Sequence, residues 1–239
     1  MRDSQRLPDM TDGGRLSASG RARGSEPEVR DLESHEFRDA AAVLARGMRD
    51  NPLHIAAYGM DPQRRLRCHR RLVSGLFRVS PGQRPVCVER AGRVIAVAGV
   101  APVGTCRPTL PQRLGVLPNV IACGPMTAAR VGTWISAWTR RDPSDPHVHL
   151  GPLAVDAGLQ GQGIGSLLMR EICRRLDADR STGYLETDKQ ENVRFYERFG
   201  FRVVGEAAVL RVPNWFMRRS PAEYANRWHQ HHQPQPQLS

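Results

Sequence analysis

Three glycines at alternate positions, Gly161, Gly163 and Gly165, separate an apolar run ending at Val155 from an amphipathic run opening near Gly163. Lacking Cβ atoms, such a turn lets peptide N–H groups close on a ligand. A helix start behind it adds unpaired donors and the positive end of a dipole, which together suit a pyrophosphate. A purely structural turn uses the same letters. A Walker A loop needs Lys and Ser/Thr after its last glycine, but Gly165 is followed by Ser166 and Leu167. The dinucleotide fingerprint G-x-G-x-x-G would need glycine at Ser166 or Leu168. Glu186 nevertheless stands where a ribose-binding acid would, at the end of the next strand, which keeps a dinucleotide enzyme open. Further on, Asn192 and Tyr196 are four apart on one helix and so share a face, while Phe195 and Phe199 fall on a neighbouring face suited to the core.

These residues need a scaffold, and the periodicity of the chain provides one. Glu28 to Asp31 reads as a short first strand. Ser34 to Arg49 reads as a helix with Ser34 as N-cap and Phe37, Ala41, Leu44 and Met48 at helical spacing. A second helix, Asp61 to Arg78, is entered through Asp61-Pro62. Strands Val86–Glu89 and Val94–Val100 flank Arg90-Ala91-Gly92-Arg93, a hairpin with glycine in the turn. An insertion, Pro102 to Pro146, carries one expected helix, Thr127 to Arg140, whose Val131, Trp134, Ile135 and Trp138 share a face that is either core or pocket wall. Strand His147–Val155, helix Gly163–Leu176, strand Gly183–Thr187, helix Gln190–Phe199 with Gly200 after it, and strands Val203–Leu210 and Trp215–Arg218 complete a mixed α/β alternation.

Composition narrows the class. A chain of 239 residues with 40% hydrophobic and 25% charged residues suits one globular domain, placed here at 28–220, with disordered tails at 1–27 and 221–239. The longest apolar run, Val94 to Val103, is ten residues, about half of a membrane span, and no secretory signal is visible, so a cytoplasmic enzyme is expected. Cys68, Cys87, Cys106, Cys123 and Cys173 are odd in number and irregular in spacing, which points to idle thiols in a reducing compartment, with no disulfide framework and no metal. His229, His231 and His232 sit in the C-terminal tail without partner ligands nearby in sequence. The formal charge is +11, yet Lys189 is the only lysine. That arginine bias reads as composition, so no nucleic-acid partner is expected. The cluster Arg64, Arg65, Arg67, Arg70 and Arg71 is expected as the solvated face of an amphipathic helix.

Two blocks carry a resemblance. Leu153-Ala154-Val155 followed by Gln160-Gly161-Gln162-Gly163-Ile164-Gly165 resembles the acyl-CoA signature of the GNAT superfamily of N-acetyltransferases, and Asn192 to Phe201 resembles its companion motif. Within the family, Leu185-Glu186-Thr187 and Trp215-Phe216-Met217-Arg218 look most like small-molecule members such as puromycin N-acetyltransferases. The resemblance implies a mostly antiparallel sheet with a splayed parallel pair, helices on both faces, and acetyl-CoA as co-substrate. Pro152 cannot donate to a ladder, so the strands ending at Val155 and Thr187 can part there. By resemblance that gap admits the pantetheine arm against the backbone near Leu153 and Val155, with residues 160–166, Ser166 included, and Asn192 completing the cofactor site.

Acetyl transfer moves two protons, one off the amine and one onto the departing thiolate. A phenol of pKa about 10 can donate to a thiolate whose acid has pKa about 8.5, which makes Tyr196 the expected general acid. His149, with an ordinary pKa near 6.5, and Glu186 are the candidate bases. Backbone N–H near Val155 would stabilise the tetrahedral intermediate. The expected acceptor is a primary amine on a small molecule. A protein N-terminus or lysine is the alternative within the same chemistry, and a non-catalytic CoA-binding or interaction protein is the alternative outside it.

Overall fold

The computed structural model describes residues 26–80 and 82–221. The expected tails therefore lie outside the described residues, apart from Glu26, Pro27 and Pro221. Seven strands form one sheet in the order β1-β2-β3-β4-β5-β7-β6: β1 (Glu28–Asp31), β2 (Val86–Arg90), β3 (Arg93–Ala101), β4 (Val148–Val155), β5 (Gly183–Thr187), β6 (Arg202–Val209) and β7 (Val212–Arg219). The helices are α1 (Phe37–Gly47), α2 (Pro52–Tyr58), α3 (Pro62–Val79), α4 (Leu110–Ile121), α5 (Pro125–Thr139), α6 (Ile164–Ala178) and α7 (Gln190–Glu197). No described helix is long and apolar enough to cross a membrane.

Local chemistry accounts for most boundaries. Asp61 caps α3 by accepting from Gln63 N at 2.9 Å, with Pro62 at the first helical position. The β2–β3 hairpin turns through Ala91 (φ 54°) and Gly92 (φ 72°). At the start of α1 the expectation is corrected. Ser34 does not cap it; Ser34–Glu36 form a separate 3-10 turn. The Glu36 carboxylate accepts from Glu33 N at 3.0 Å and is held by two Arg30 bonds of 2.7 Å. α2 was not expected, being only seven residues long. The insertion also holds two helices rather than one: α4 carries Pro111 in its first turn, where proline is tolerated, and Pro118 in its interior, where it normally breaks a helix. Thr109 and Gln112 close a capping box that starts α4.

The basic face of α3 is exposed as expected at Arg64, Arg67, Arg70 and Arg71, and is corrected at Arg65. Arg64 donates to Cys123 O at 2.8 Å and Arg71 to Ala122 O at 2.8 Å, which satisfies carbonyls at the end of α4. Arg65 is buried, donating to Arg49 O at 2.8 Å and Gly59 O at 3.2 Å. Guanidinium groups on this face thus also hold loops through backbone carbonyls.

Alternation along β2 and β3 divides the core. Cys87 and Val97 face α1 and α3; Val86, Val88, Ala96 and Ala98 face α6 and α7. Helices thus cover both faces of a mostly antiparallel sheet. A third cluster joins α2, α3, α4 and α5 through Leu53, Leu72, Val120, Val131 and Trp134, and reaches Val209 of β6. These four helices form a cap beside the sheet.

The single parallel pair is short. β4 pairs with β5 only at Val148↔Gly183, His149↔Tyr184 and Leu150↔Leu185. Beyond it β4 stays on β3 (Leu153↔Ala98, Ala154↔Val97) while β5 stays on β7 (Glu186↔Phe216, Thr187↔Trp215). Each strand keeps its outer neighbour, so the two part and a gap opens in the sheet.

Gly47, the last residue of α1, lies against the end of β4: a Cβ there would meet Val155 O at 2.3 Å and Ala154 Cβ at 2.7 Å. Gly47→Ala is expected to force backbone movement and cost about 1–3 kcal/mol, a fall in Tm of roughly 2–12 °C for a domain of this size. Thermal unfolding of the variant checks this, and an unchanged Tm would mean α1 can retreat freely from β4.

Candidate active site

Below the gap lies a cavity of about 640 Å³. His149 and Leu153 of β4, Glu186 of β5, and Asn192 and Tyr196 of α7 all line it. The cap contributes the opposite wall, with Leu72, Val116, Val131, Trp134 and Trp138 among its apolar side chains. The α5 face is therefore both core and pocket wall. Trp138 also donates to Asn214 Oδ1 at 3.0 Å, which anchors the cap to β7.

Tyr196 is nearly enclosed, with its ring against Phe195 (5.2 Å between centroids) and Phe201 (6.1 Å). Burial raises its hydroxyl above the usual phenol range, and the charge of Asp188 adds to the shift. Asn192 Nδ2 donates to Thr187 Oγ1 at 3.2 Å, which fixes the first turn of α7 to the end of β5.

His149 and Glu186 face each other across the parallel pair, with Nε2 and Oε2 2.9 Å apart. Asp142 Oδ1 stands 3.4 Å from His149 Nδ1, an ion-pair distance at which no hydrogen bond forms. Burial pushes the imidazole pKa down; the Glu186 charge and the Asp142 carboxylate outweigh it, so His149 lies well above its ordinary value. Glu186 Oε1 is buried without a partner.

The glycine turn is open. Gly161 and Gly163 both have φ 80°, and a Cβ on either would meet nothing within 4 Å. Gly165 packs closely, 3.5 Å from both Phe195 and Val155 side chains for an added Cβ. Gln160 turns its amide back, donating to Gly47 O at 3.1 Å and Val155 O at 3.2 Å. Residues 160–166 do not line the cavity; Gly165 stands beside Val155 and Phe195, which do not line it either. The side chains of two expected cofactor residues are taken by the core, Ile164 among the α6 residues and Ala154 against α1.

Several residues at the site were not singled out from the sequence. Asp188, buried at the end of β5, accepts from Leu53 N at 2.7 Å and Asn51 Nδ2 at 3.3 Å, so the strand tip caps helix α2. Burial raises its pKa, and the Leu53 N–H works against that rise. Asp142, His147 and Cys106 gather beside His149. Alternation in His147-Val148-His149 was the available signal, since residues two apart in an extended chain share a side.

Residues 126–203, from α5 into β6, match the family described as acetyltransferase (GNAT) domain. The fold is similar to a Corynebacterium glutamicum histone acetyltransferase HPA2 and related acetyltransferase, at 18% identity and TM-score 0.60 over 82% of this chain and 97% of that one. It is also similar to Drosophila melanogaster polyamine N-acetyltransferase, at 14% identity and TM-score 0.55 over 82% and 100% of the two chains. A Staphylococcus aureus N-acetyltransferase aligns at 13% identity and TM-score 0.50 over 82% and 99%.

The Asp188 contact makes the cap depend on the sheet. Asp188→Ala is expected to free the Leu53 amide, costing about 1–2 kcal/mol and speeding its hydrogen exchange roughly tenfold. Exchange measured by mass spectrometry checks this; unaltered protection across 51–58 would break the link between β5 and α2.

Proposed function

We propose that this GNAT-fold acetyltransferase transfers the acetyl group of acetyl-CoA to the primary amine of a small molecule by direct attack. One observation carries the reading: β4 and β5 part beyond Leu150 and Leu185 at a cavity that Leu153, Glu186 and Tyr196 line, and the glycine turn that follows β4 is unplugged. The diphosphate of CoA would sit on peptide N–H groups of 161–165 and the start of α6, where an anion meets unpaired donors. Gln160, whose amide ties the turn to α1, Gln162 and Ser166 would shape that site. The pantetheine arm would enter the gap along the β5-facing backbone of Leu153, Ala154 and Val155, which no strand occupies, with Asn192 on the other side.

In the reaction the amine nitrogen attacks the thioester carbonyl carbon, the C–S bond breaks and an amide forms. The thiolate leaves and takes the Tyr196 hydroxyl proton; solvent restores it. Enclosure keeps the phenol protonated at neutral pH, as an acid requires. Of the two candidate bases, Glu186 fits the amine better. Its Oε1 has no partner, whereas His149 Nε2 is already engaged with Glu186 Oε2.

The acceptor class follows from the walls. Apolar side chains from the cap oppose Glu186 and Asp188, so an amine with an apolar body matches the cavity. A cavity walled by helices suits a small molecule better than a protein chain, and turnover separates catalysis from CoA binding alone. The described cysteines are all free, which agrees with a cytoplasmic setting.

Free-thiol release against a panel of amines tests the reading. Tyr196→Phe is expected to lower kcat at least ~100-fold with the KM for acetyl-CoA little changed; full turnover would remove Tyr196 as acid. Gly163→Asp puts a carboxylate and a Cβ at φ 80° on the anion site. Acetyl-CoA at 100 times its Kd should stabilise the wild-type protein by about 2.7 kcal/mol, and this variant not at all. Equal stabilisation of both would move the cofactor elsewhere.

A further inference from the structure

We propose a structural zinc site formed by Cys106, Asp142, His147 and His149, which fastens both ends of the helical insertion to the start of β4. One donor atom from each of the four residues lies within 4.8 Å of the others. Cys106 Sγ is 3.4 Å from Asp142 Oδ2, His147 Nε2 is 3.0 Å from Asp142 Oδ1, and His149 Nδ1 is 3.4 Å from the same oxygen. Tetrahedral zinc, with Zn–N near 2.0–2.1 Å and Zn–S near 2.3 Å, requires donors about 3.3–3.7 Å apart. Small inward shifts meet that geometry. A mixed thiolate, imidazole and carboxylate set selects zinc over calcium or magnesium, which take all-oxygen shells.

The outer partners reinforce the assignment. His147 Nδ1 lies 2.8 Å from Asp145 O, an atom that can only accept, so Nδ1 carries a hydrogen. His149 Nε2 lies 2.9 Å from Glu186 Oε2, which likewise places a hydrogen on Nε2. Zinc would displace any proton on the remaining nitrogens, His147 Nε2 and His149 Nδ1, which both face the same Asp142 oxygen. His149 Nδ1 is fully enclosed and has no hydrogen-bond partner. A cation between these atoms turns three facing lone pairs into three bonds. Backbone-carbonyl and carboxylate contacts on the far ring nitrogens are the usual orienting shell of zinc histidines. Thiolate and carboxylate together balance the ion's charge. Arg107, now 3.1 Å from Asp142 Oδ2, has a largely exposed side chain and can withdraw.

Four protein ligands leave no open position, which is the mark of a structural site rather than a catalytic one. Cys106 precedes α4, Asp142 follows α5, and His147 and His149 border and begin β4. The ion would close the insertion into a loop at its base and set the cavity wall that Cys106, Asp142 and His149 share.

The test uses the full chain, reduced and stripped with chelator, and does not depend on acetyl transfer. Zinc chloride, read by competition with a chromophoric chelator, should bind at one equivalent and raise Tm. Cobalt(II) chloride should give visible bands of tetrahedral intensity and a near-ultraviolet thiolate-to-cobalt band. Cys106→Ser should lose that thiolate band, and His147→Ala should weaken zinc binding at least tenfold. Replacing His229, His231 and His232 with Ala should leave both readouts intact. Metal-free Cys106→Ser should melt like metal-free wild type, yet gain less from zinc. Absence of stoichiometric binding overturns the proposal. So does binding that survives Cys106→Ser and His147→Ala but is lost with the tail histidines.

Discussion

The site depends on a shortage of hydrogen bonding between two neighbouring strands. β4 and β5 exchange only three residue pairs and then follow different partners, β3 on one side and β7 on the other. Unpaired backbone is costly when buried, so a sheet tolerates such a gap only where something else can meet those groups. An extended ligand arm can do so. The chain keeps both strands rigid while they diverge, because each remains in a ladder on its outer side. Space, unpaired backbone and fixed walls thus come from one topological choice.

Charge is handled differently on the two sides of that gap. On the α6 side the turn and the first helical residues, 160–169, carry no charged side chain, and the glycines present bare peptide. On the β4–β5 floor, Asp142, His149, Glu186 and Asp188 crowd into a region with little solvent. Interactions there are strong because the local dielectric is low, and unpaired members are expensive for the same reason. The enclosed Glu186 Oε1 and His149 Nδ1 are therefore informative. Buried polar atoms without partners mark places where the folded chain is incomplete by itself.

Much of this was legible from letters. The glycine turn, the α6 stripe and the α7 block are local patterns with a fixed period, and they landed within about two residues of their strands and helices. Gly183–Thr187 and Glu28–Asp31 matched at both ends. What escaped notice depended on long-range partners. α2 is too short for periodicity to register, and Asp188, 135 residues from Leu53, supplies its cap. Prolines hid α4. Arg65 looked like part of a solvated face because its carbonyl partners lie outside α3. Asp142 and Cys106 are 36 apart, a separation that no ligand spacing rule reports. Only the alternation of His147 and His149 was visible locally, and it passed as part of a strand.

Gln160 spans from the turn to the ends of both α1 and β4, where Gly47 lets helix and strand touch. The turn on the proposed nucleotide side is therefore braced by sheet and helix backbone, whereas the proposed acceptor side is walled by a helical cap in which only α3 packs into the core with α1, while α2 and α5 are tied by polar anchors such as Asp188–Leu53 and Trp138–Asn214. Mutations have unequal freedom on the two halves. Residues of the cap can drift, and reshape what fits beneath them, without disturbing the braced half, so a lineage built on this scaffold would diversify its acceptors far faster than its donor.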